Sequence, residues 1–290
     1  MSSAEAKIVA LEDATDPLLY GGKALHLGSA RRAGLPAPPG VALSVQALAL
    51  LVAGDAAISG KVREACAALG APLAARSSAI GEDSHEASYA GQYLSLMNLM
   101  DADAVIDGLC QIHASAQSLA VQAYRDKKQI AGAVRIAAVV QKLIDPLCAG
   151  VLFTRHPVTH ADEYVIEATW GLGEAVVAGL VTPDHFRLAR DGRVLESRAG
   201  DKDIAVRRAA DGGTQELPVD DALIESFCLE PAQLKQLYEL ARRCEASFGV
   251  GIPAQQPAAL RVAGLDLEWA FSGGELYLLQ ARPISTGGGR

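Results

Sequence analysis

Cysteine is scarce in this 290-residue sequence: the five, Cys66, Cys110, Cys148, Cys228 and Cys244, are odd in number, widely spaced and form no CxxC pair. That pattern argues against a disulfide framework and reads as reduced core thiols of a cytoplasmic protein. Long apolar runs are missing too, and no stretch reaches the roughly 18 residues expected of a membrane span. The opening MSSAEAKIVALED lacks the basic and apolar blocks of a signal peptide, so the sequence is expected to begin as mature protein. Positive charge is in deficit, with 26 Lys and Arg against 34 Asp and Glu, which argues against a nucleic-acid or membrane-surface footprint. A small anion could still bind at a local cationic spot. Metal-ligand spacing is absent among the histidines: His156 and His160 are four apart but flanked by Pro157, and His26, His85, His113 and His185 are scattered, so no zinc site is expected.

Half of the residues are hydrophobic, enough for one large or two modest domains with ample core. The first strand is expected in AKIVAL, followed by a loop YGGK, a short helix to about Arg32 closed by Gly34, and an extended LPAPPG. Ser44 is a candidate N-cap for the next helix, another helix is expected from about Gly60 to Leu69, and PLAAR reads as a strand. Asp101 could cap the longest helix, about Ala102 to Lys128, whose Val105, Leu109, Ile112, Ala116 and Leu119 share one face. Strands then dominate: RIAAVVQKLI, AGVLFTR, EYVIEAT, and HFRLAR joined to RVLESR by Asp191-Gly192. A late helix from about Pro231 to Phe248 precedes a final hairpin. These changes of texture predict a helix-rich N-terminal lobe, residues 1–132, and a strand-rich C-terminal lobe, residues 133–290, with a cleft between them.

The final hairpin, DLEWAFSGGELYLLQARPI, poses the sharpest question, because it sets Asp266, Glu268, Gln280 and Arg282 among residues that read as buried strand. A three-residue loop of Gly273, Gly274 and Glu275 places Ser272 opposite Leu276, Glu268 opposite Gln280 and Asp266 opposite Arg282. All four polar groups then share one face, and Leu267, Trp269, Phe271, Tyr277, Leu279 and Ala281 share the other. A two-residue loop would split the four, so the odd loop is expected. Glu268 and Gln280 supply hard oxygen ligands of the kind Mg²⁺ takes beside phosphate oxygens, and Arg282 could neutralise a transferring phosphoryl group. A simple Asp266–Arg282 salt bridge is the competing structural reading.

Three other stretches join glycine to charge. In YGGKALHLG the main chain and Lys23 could hold a phosphate, or form only a turn with a solvated lysine. In ARSSAIGEDSHEASYAGQY, Arg76 ends a strand ahead of Ser77 and Ser78, and Gly81, Ser88, Ala90 and Gly91 make a pliable loop; it could close over polyphosphate, or be a surface loop with an Arg76–Asp83 pair. In TWGLGEAVVAGLVTPDHF, Gly171 and Gly173 precede the expected short helix Glu174 to Ala178 and suit either ligand approach or a tight strand-to-helix turn.

Taken in order, GGKALHLGSARRAGLPAPPG, RSSAIGEDSHEASYAGQY, VVQKLI, GVLFTRHPVT, GLGEAVVAGLVTPD and DLEW…LYLLQARPI resemble the N-terminal nucleotide-binding domain of the pyruvate phosphate dikinase and phosphoenolpyruvate synthase family, which is shared by rifampin phosphotransferases and by phenylphosphate synthase. The resemblance runs from about Tyr20 to Ile284. It implies an α+β ATP-grasp fold with Mg-ATP gripped in the cleft between two lobes. By motif it implies that Lys23 and Arg76 contact phosphates, with Gln141 and Leu143 at the adenine pocket and Glu174 lining the nucleotide site. Glu268 and Gln280 would ligate Mg²⁺, Arg282 would stabilise the transferring group and Asp266 would support it. One departure stands out: the long helix reads SLAVQAYR where relatives often carry a further arginine, so that Leu119 and Ala120 occupy the expected places and Arg125 is only an offset substitute. The resemblance covers only the first of the family's domains. The implied function is therefore an ATP-binding subunit or separated domain that cleaves ATP to AMP and phosphate, passing a phosphoryl group through a histidine of a swivelling partner domain to a small-molecule acceptor. The alternatives are a self-sufficient small-molecule kinase and a nucleotide-binding regulatory module.

Overall fold

The computed structural model of the chain describes residues 6–80, 94–127, 135–250 and 263–284, with side chains as far as residue 116 in the helix that ends at Lys127. The elements are β1 (Ile8–Ala10), α1 (Pro17–Arg32), β2 (Gly40–Leu43), α2 (Val45–Val52), α3 (Ala56–Leu69), β3 (Leu73–Ala79), β4 (Ser95–Leu99), α4 (Ala102–Lys127) and β5 (Ile136–Lys142). They continue with β6 (Cys148–Phe153), β7 (Tyr164–Trp170), α5 (Glu174–Val177), β8 (Asp184–Leu188), β9 (Val194–Arg198), β10 (Ile204–Arg208) and β11 (Thr214–Pro218). The last are α6 (Asp221–Ile224), α7 (Pro231–Phe248), β12 (Gly264–Ser272) and β13 (Glu275–Ile284). The α+β class expected from the sequence is borne out. No single helix among the described residues is long and apolar enough to cross a membrane.

The chain divides into two compact units. The first comprises residues 1–29, 38–143 and 208–214, and the second residues 30–37, 144–207 and 215–290. The change of texture near residue 133 therefore falls short of the structural division, because β5 pairs with β2 and β3 and is the middle strand of the first unit's sheet.

That sheet runs β1-β2-β5-β3-β4. One face carries Leu43, Leu73, Ala75, Ile136, Ala138 and Val140, which form one buried cluster with Leu48, Ile58, Val62, Val105, Leu109 and Ile112 of α2, α3 and α4. The expected caps hold: the Ser44 hydroxyl accepts from Ala47 N at 3.2 Å and Asp101 Oδ1 from Ala104 N at 2.8 Å. Helix α3 begins four residues before the expected Gly60, because Asp55 accepts from both Ala57 N and Ile58 N and starts it there. The strand expected in PLAAR continues through Ser77 and Ser78 to Ala79, held along its length by β5.

The second unit's sheet runs β13-β12-β6-β7-β8-β9, antiparallel throughout. A hairpin forms at Asp191-Gly192, but its loop is the three residues Arg190, Asp191 and Gly192 rather than that pair alone: Gly192, at φ 87°, donates its N–H to Ala189 O, and Ala189 N donates to Arg193 O. Helix α7 spans the predicted Pro231–Phe248, with Pro231 at its first turn, a Glu230–Gln233 capping box and Gly249 left-handed at its end. It packs on β12 and β13. The hairpin of β10 and β11 was not anticipated.

Candidate functional site

In the first unit, Arg76 and Gln141, expected from the sequence to contact nucleotide, lie on the sheet face opposite the helical core. Pairing sets Ala74 against Gln141, Arg76 against Val139 and Ser78 against Ala137, so Gln141, Arg76 and Ser78 share a face. Arg76, 6% exposed, is buried along that face. Ser78 ties the YGGK turn to it: its hydroxyl donates to Tyr20 O at 2.6 Å and accepts from Ala24 N at 3.1 Å. Helix α1 is broken between those two anchors at Gly21, with φ 75° and ψ 172°. A Cβ at Gly21 would stand 2.4 Å from Ser78 O, so glycine is required both for the dihedral and for the approach. Lys23, half-buried on α1, thus precedes by one residue the amide that Ser78 anchors to β3, the strand that carries Arg76. The Gln141 amide donates to Pro38 O at 3.2 Å and is buried, and Leu143 N donates to Pro72 O at 3.0 Å. Gly81, Asp83, Ser88, Ala90 and Gly91 lie outside the described residues, as do the side chains of Leu119, Ala120 and Arg125.

In the second unit the hairpin brings Glu268 opposite Gln280 and Asp266 opposite Arg282, the expected pairs. The route to them differs from expectation. Ser272 pairs with Glu275, so the loop is the two glycines Gly273 and Gly274, and Trp269 pairs with Leu278. A β-bulge between Glu268 and Trp269 leaves Leu279 as the extra residue on β13, which returns the polar pairs to one face. Consequently the apolar face of β13 is made by Leu276 and Leu278, not by Tyr277 and Leu279 as expected, and Leu278 is fully buried. That face also carries Leu265, Leu267, Trp269, Phe271 and Ala281, with Trp269 and Phe271 edge to face at 5.7 Å between ring centroids.

Arg282 donates through Nε and Nη2 to Asp266 Oδ2, at 2.8 and 2.6 Å. The salt bridge weighed against a catalytic role is therefore present. It does not restore Asp266 to an ordinary carboxylate, however: burial pushes its pKa up, Arg282 pulls it down, Glu268 nearby pushes it up again, and the net direction is upward.

The turn before α5 lies on the same face. Gly171, at φ 74°, places a would-be Cβ 2.4 Å from Val206 O, and one at Gly173 would lie 3.8 Å from Ala149 Cβ. Ala149 pairs with Ala270, which follows Glu268 by two residues, so the GLGE turn covers the polar face of the sheet and Glu174 starts its helix there, half-buried. Sequence reasoning missed Glu167 and Thr169, which register through β6 adds to this face: Glu268 pairs with Val151, Val151 with Glu167, and Ala149 with Thr169. The alternation in YVIEATW was the signal that could have found them. Thr169 Oγ1 is buried with no hydrogen-bond partner among the described residues. Around His156, Pro157 builds a tight turn in which Nδ1 accepts from Val158 N and Thr159 N. No group of three or more His, Cys, Asp or Glu arranged for a metal ion occurs among the described residues.

The family described as "Pyruvate phosphate dikinase, AMP/ATP-binding domain" matches residues 55–289. Among curated proteins, a probable phosphoenolpyruvate synthase of Methanothermobacter thermautotrophicus is 38% identical over 216 residues, covering 74% of this chain and 30% of that protein. The prodigiosin synthesizing transferase PigC of Serratia marcescens is 36% identical over 299 residues, covering 93% and 32%. A rifampicin phosphotransferase of Streptomyces sviceus is 35% identical over 233 residues, covering 79% and 25%. The chain thus spans a third or less of the length of each of these relatives.

Proposed function

Because the chain belongs to the pyruvate phosphate dikinase AMP/ATP-binding domain family, we propose that it is the ATP-binding part of a dikinase-type phosphotransferase with an ATP-grasp fold, which binds Mg-ATP and passes a phosphoryl group through a histidine of a partner domain to a small-molecule acceptor. The observation that carries this reading is the hairpin face, where register sets the Glu268 carboxylate opposite the Gln280 amide and the Arg282 guanidinium opposite Asp266.

Mg²⁺ fits this donor set. Glu268 and Gln280 offer two hard oxygens of the kind Mg²⁺ takes while completing its shell with phosphate oxygens and water. Bound there, it would neutralise phosphate charge. Arg282 would meet the charge that develops on the transferring group, with Asp266 fixing the direction of its fork through Oδ2. Lys23 and Arg76 of the first unit would hold phosphate oxygens, Gln141 and Leu143 would border the base, and Glu174 would line the nucleotide site.

Calorimetry tests the site. Glu268→Ala should weaken Mg-ATP by tenfold or more while leaving metal-free ATP nearly unchanged. An equal loss for both would exclude Glu268 as a metal ligand. Product analysis tests the relay: AMP formed only in the presence of a histidine-bearing partner agrees with the proposal, whereas ADP formed by the isolated chain with a small acceptor would replace it by direct transfer.

A further inference from the structure

Register places one unbroken row across the polar face of the second unit's sheet: Gln280, Glu268, Val151, Glu167, His185 and Arg198, one residue from each of six strands. Glu268 and Glu167 are separated by a single strand, so their backbones lie roughly 9–10 Å apart. Val151, a small apolar residue, fills the place between them. Glu167 is partly exposed and faces His185 of the next strand: Oε1 stands 3.9 Å from His185 Nδ1, with the two side chains 35% and 19% exposed. Two residues along β7, on the same face, Thr169 is fully buried and its hydroxyl has no partner among the described residues.

We infer that Glu167 accepts hydrogen bonds from the ribose hydroxyls of the bound nucleotide, with His185 positioning the carboxylate, so that this strand selects ribonucleotides over their deoxy counterparts. The inference rests on the nucleotide reading above. With the metal-bound phosphates at Glu268, a nucleotide laid across the strands brings its sugar over Val151, where only an apolar surface is needed, and then to Glu167. A carboxylate is the side chain suited to that end, because it is acceptor-only and can take both hydroxyls of a vicinal diol. Its distance from Glu268 also makes it a poor second ligand for the same ion.

The test is calorimetric titration of the whole chain with Mg-ATP, Mg-2′-deoxyATP and Mg-3′-deoxyATP. The unmodified chain should bind at least one deoxy analogue about tenfold more weakly than Mg-ATP, the loss expected for a hydrogen bond to a charged group. Glu167→Ala should bind all three alike, at the level of the weaker analogue. His185→Ala, which frees the carboxylate without removing it, should keep part of the discrimination. Equal affinity of the unmodified chain for all three nucleotides overturns the inference without any need for a folded variant, and so does a Glu167→Ala variant that keeps the original ratio. Absence of Mg-ATP binding by the unmodified chain is a different result, which overturns the nucleotide reading itself.

Discussion

Asp266 is where the chemistry of the hairpin face is most finely balanced. Its carboxyl is buried against Arg282, yet burial and the neighbouring Glu268 outweigh the guanidinium and its pKa is raised. A carboxyl whose folded pKa lies above its unfolded value adds stability that is complete below the ordinary aspartate pKa and is lost as pH rises through the folded one. The free protein should therefore lose a small increment of stability as pH rises from about 4, the ordinary aspartate value, and Asp266→Asn should abolish that dependence in urea titrations. Binding of Mg-ATP should act in the opposite sense, releasing a proton and weakening as pH falls through the same range. Calorimetry in buffers of different ionisation enthalpy measures that proton directly. Arg282→Ala should leave nucleotide affinity within about tenfold while removing most turnover, because its interaction strengthens as charge develops. Combining it with Asp266→Asn separates that loss from the cost of stranding a buried carboxylate, and undiminished turnover in either background would end the assignment.

At the scale of elements, the two units use the same device, a polar stripe on one face of a sheet whose opposite face is core. Alternation made this visible in β12 and β13, where Asp266 and Glu268 interrupt an apolar run. It was equally present in β7, but there only two polar residues carried it and the neighbouring strands had to be known before their face acquired meaning. The bulge at Leu279 was beyond sequence reasoning, because a two-residue glycine turn with a bulge and a three-residue turn without one give the same outer pairs. Local hydrogen bonding at the turn separates them. The YGGK turn depends in the same way on a distant strand: Ser78 anchors Tyr20 and Ala24 on either side of Gly21. Gly21→Ala should destabilise the protein by about 2–3 kcal/mol, since it adds a clash with Ser78 to an unfavourable dihedral. Gly54→Ala, also at positive φ but with open space around its would-be Cβ, should cost only about 1 kcal/mol. Similar midpoints for the two in urea would mean that the turn yields readily at Ser78.

For the molecule as a whole, the five cysteines report on core formation. Cys66, Cys148, Cys228 and Cys244 are buried and free, whereas Cys110 on α4 is partly exposed, a correction to the expectation that all five are core thiols. Burial raises the pKa of Cys66 and Cys110 and pushes that of Cys244 up to about 12, and Cys228 is raised by its contact with Cys148 and by burial. A thiol reagent at neutral pH should therefore label Cys110 first, with the other four reacting only at the rate of unfolding. Mass analysis of partly labelled protein would show it, and early labelling of Cys244 would contradict the packing of α7.

The α+β class was legible through the family resemblance of six ordered motifs. Local pattern in the sequence by itself determined the Pro231–Phe248 helix, the caps at Ser44 and Asp101, and the pairing of Asp266 with Arg282 and of Glu268 with Gln280. Each depends on hydrophobic period, on a side chain reaching its own backbone, or on the segregation of polar from apolar faces, and all of these act over a few residues. Tertiary structure alone decided that β5 is central to the first unit, that Ser78 fastens the Lys23 turn, that the last hairpin turns on two glycines and recovers its register by a bulge, and that Glu167 shares a face with Glu268. These depend on which strands lie side by side, and that is fixed by the burial of a common core among segments far apart in the chain.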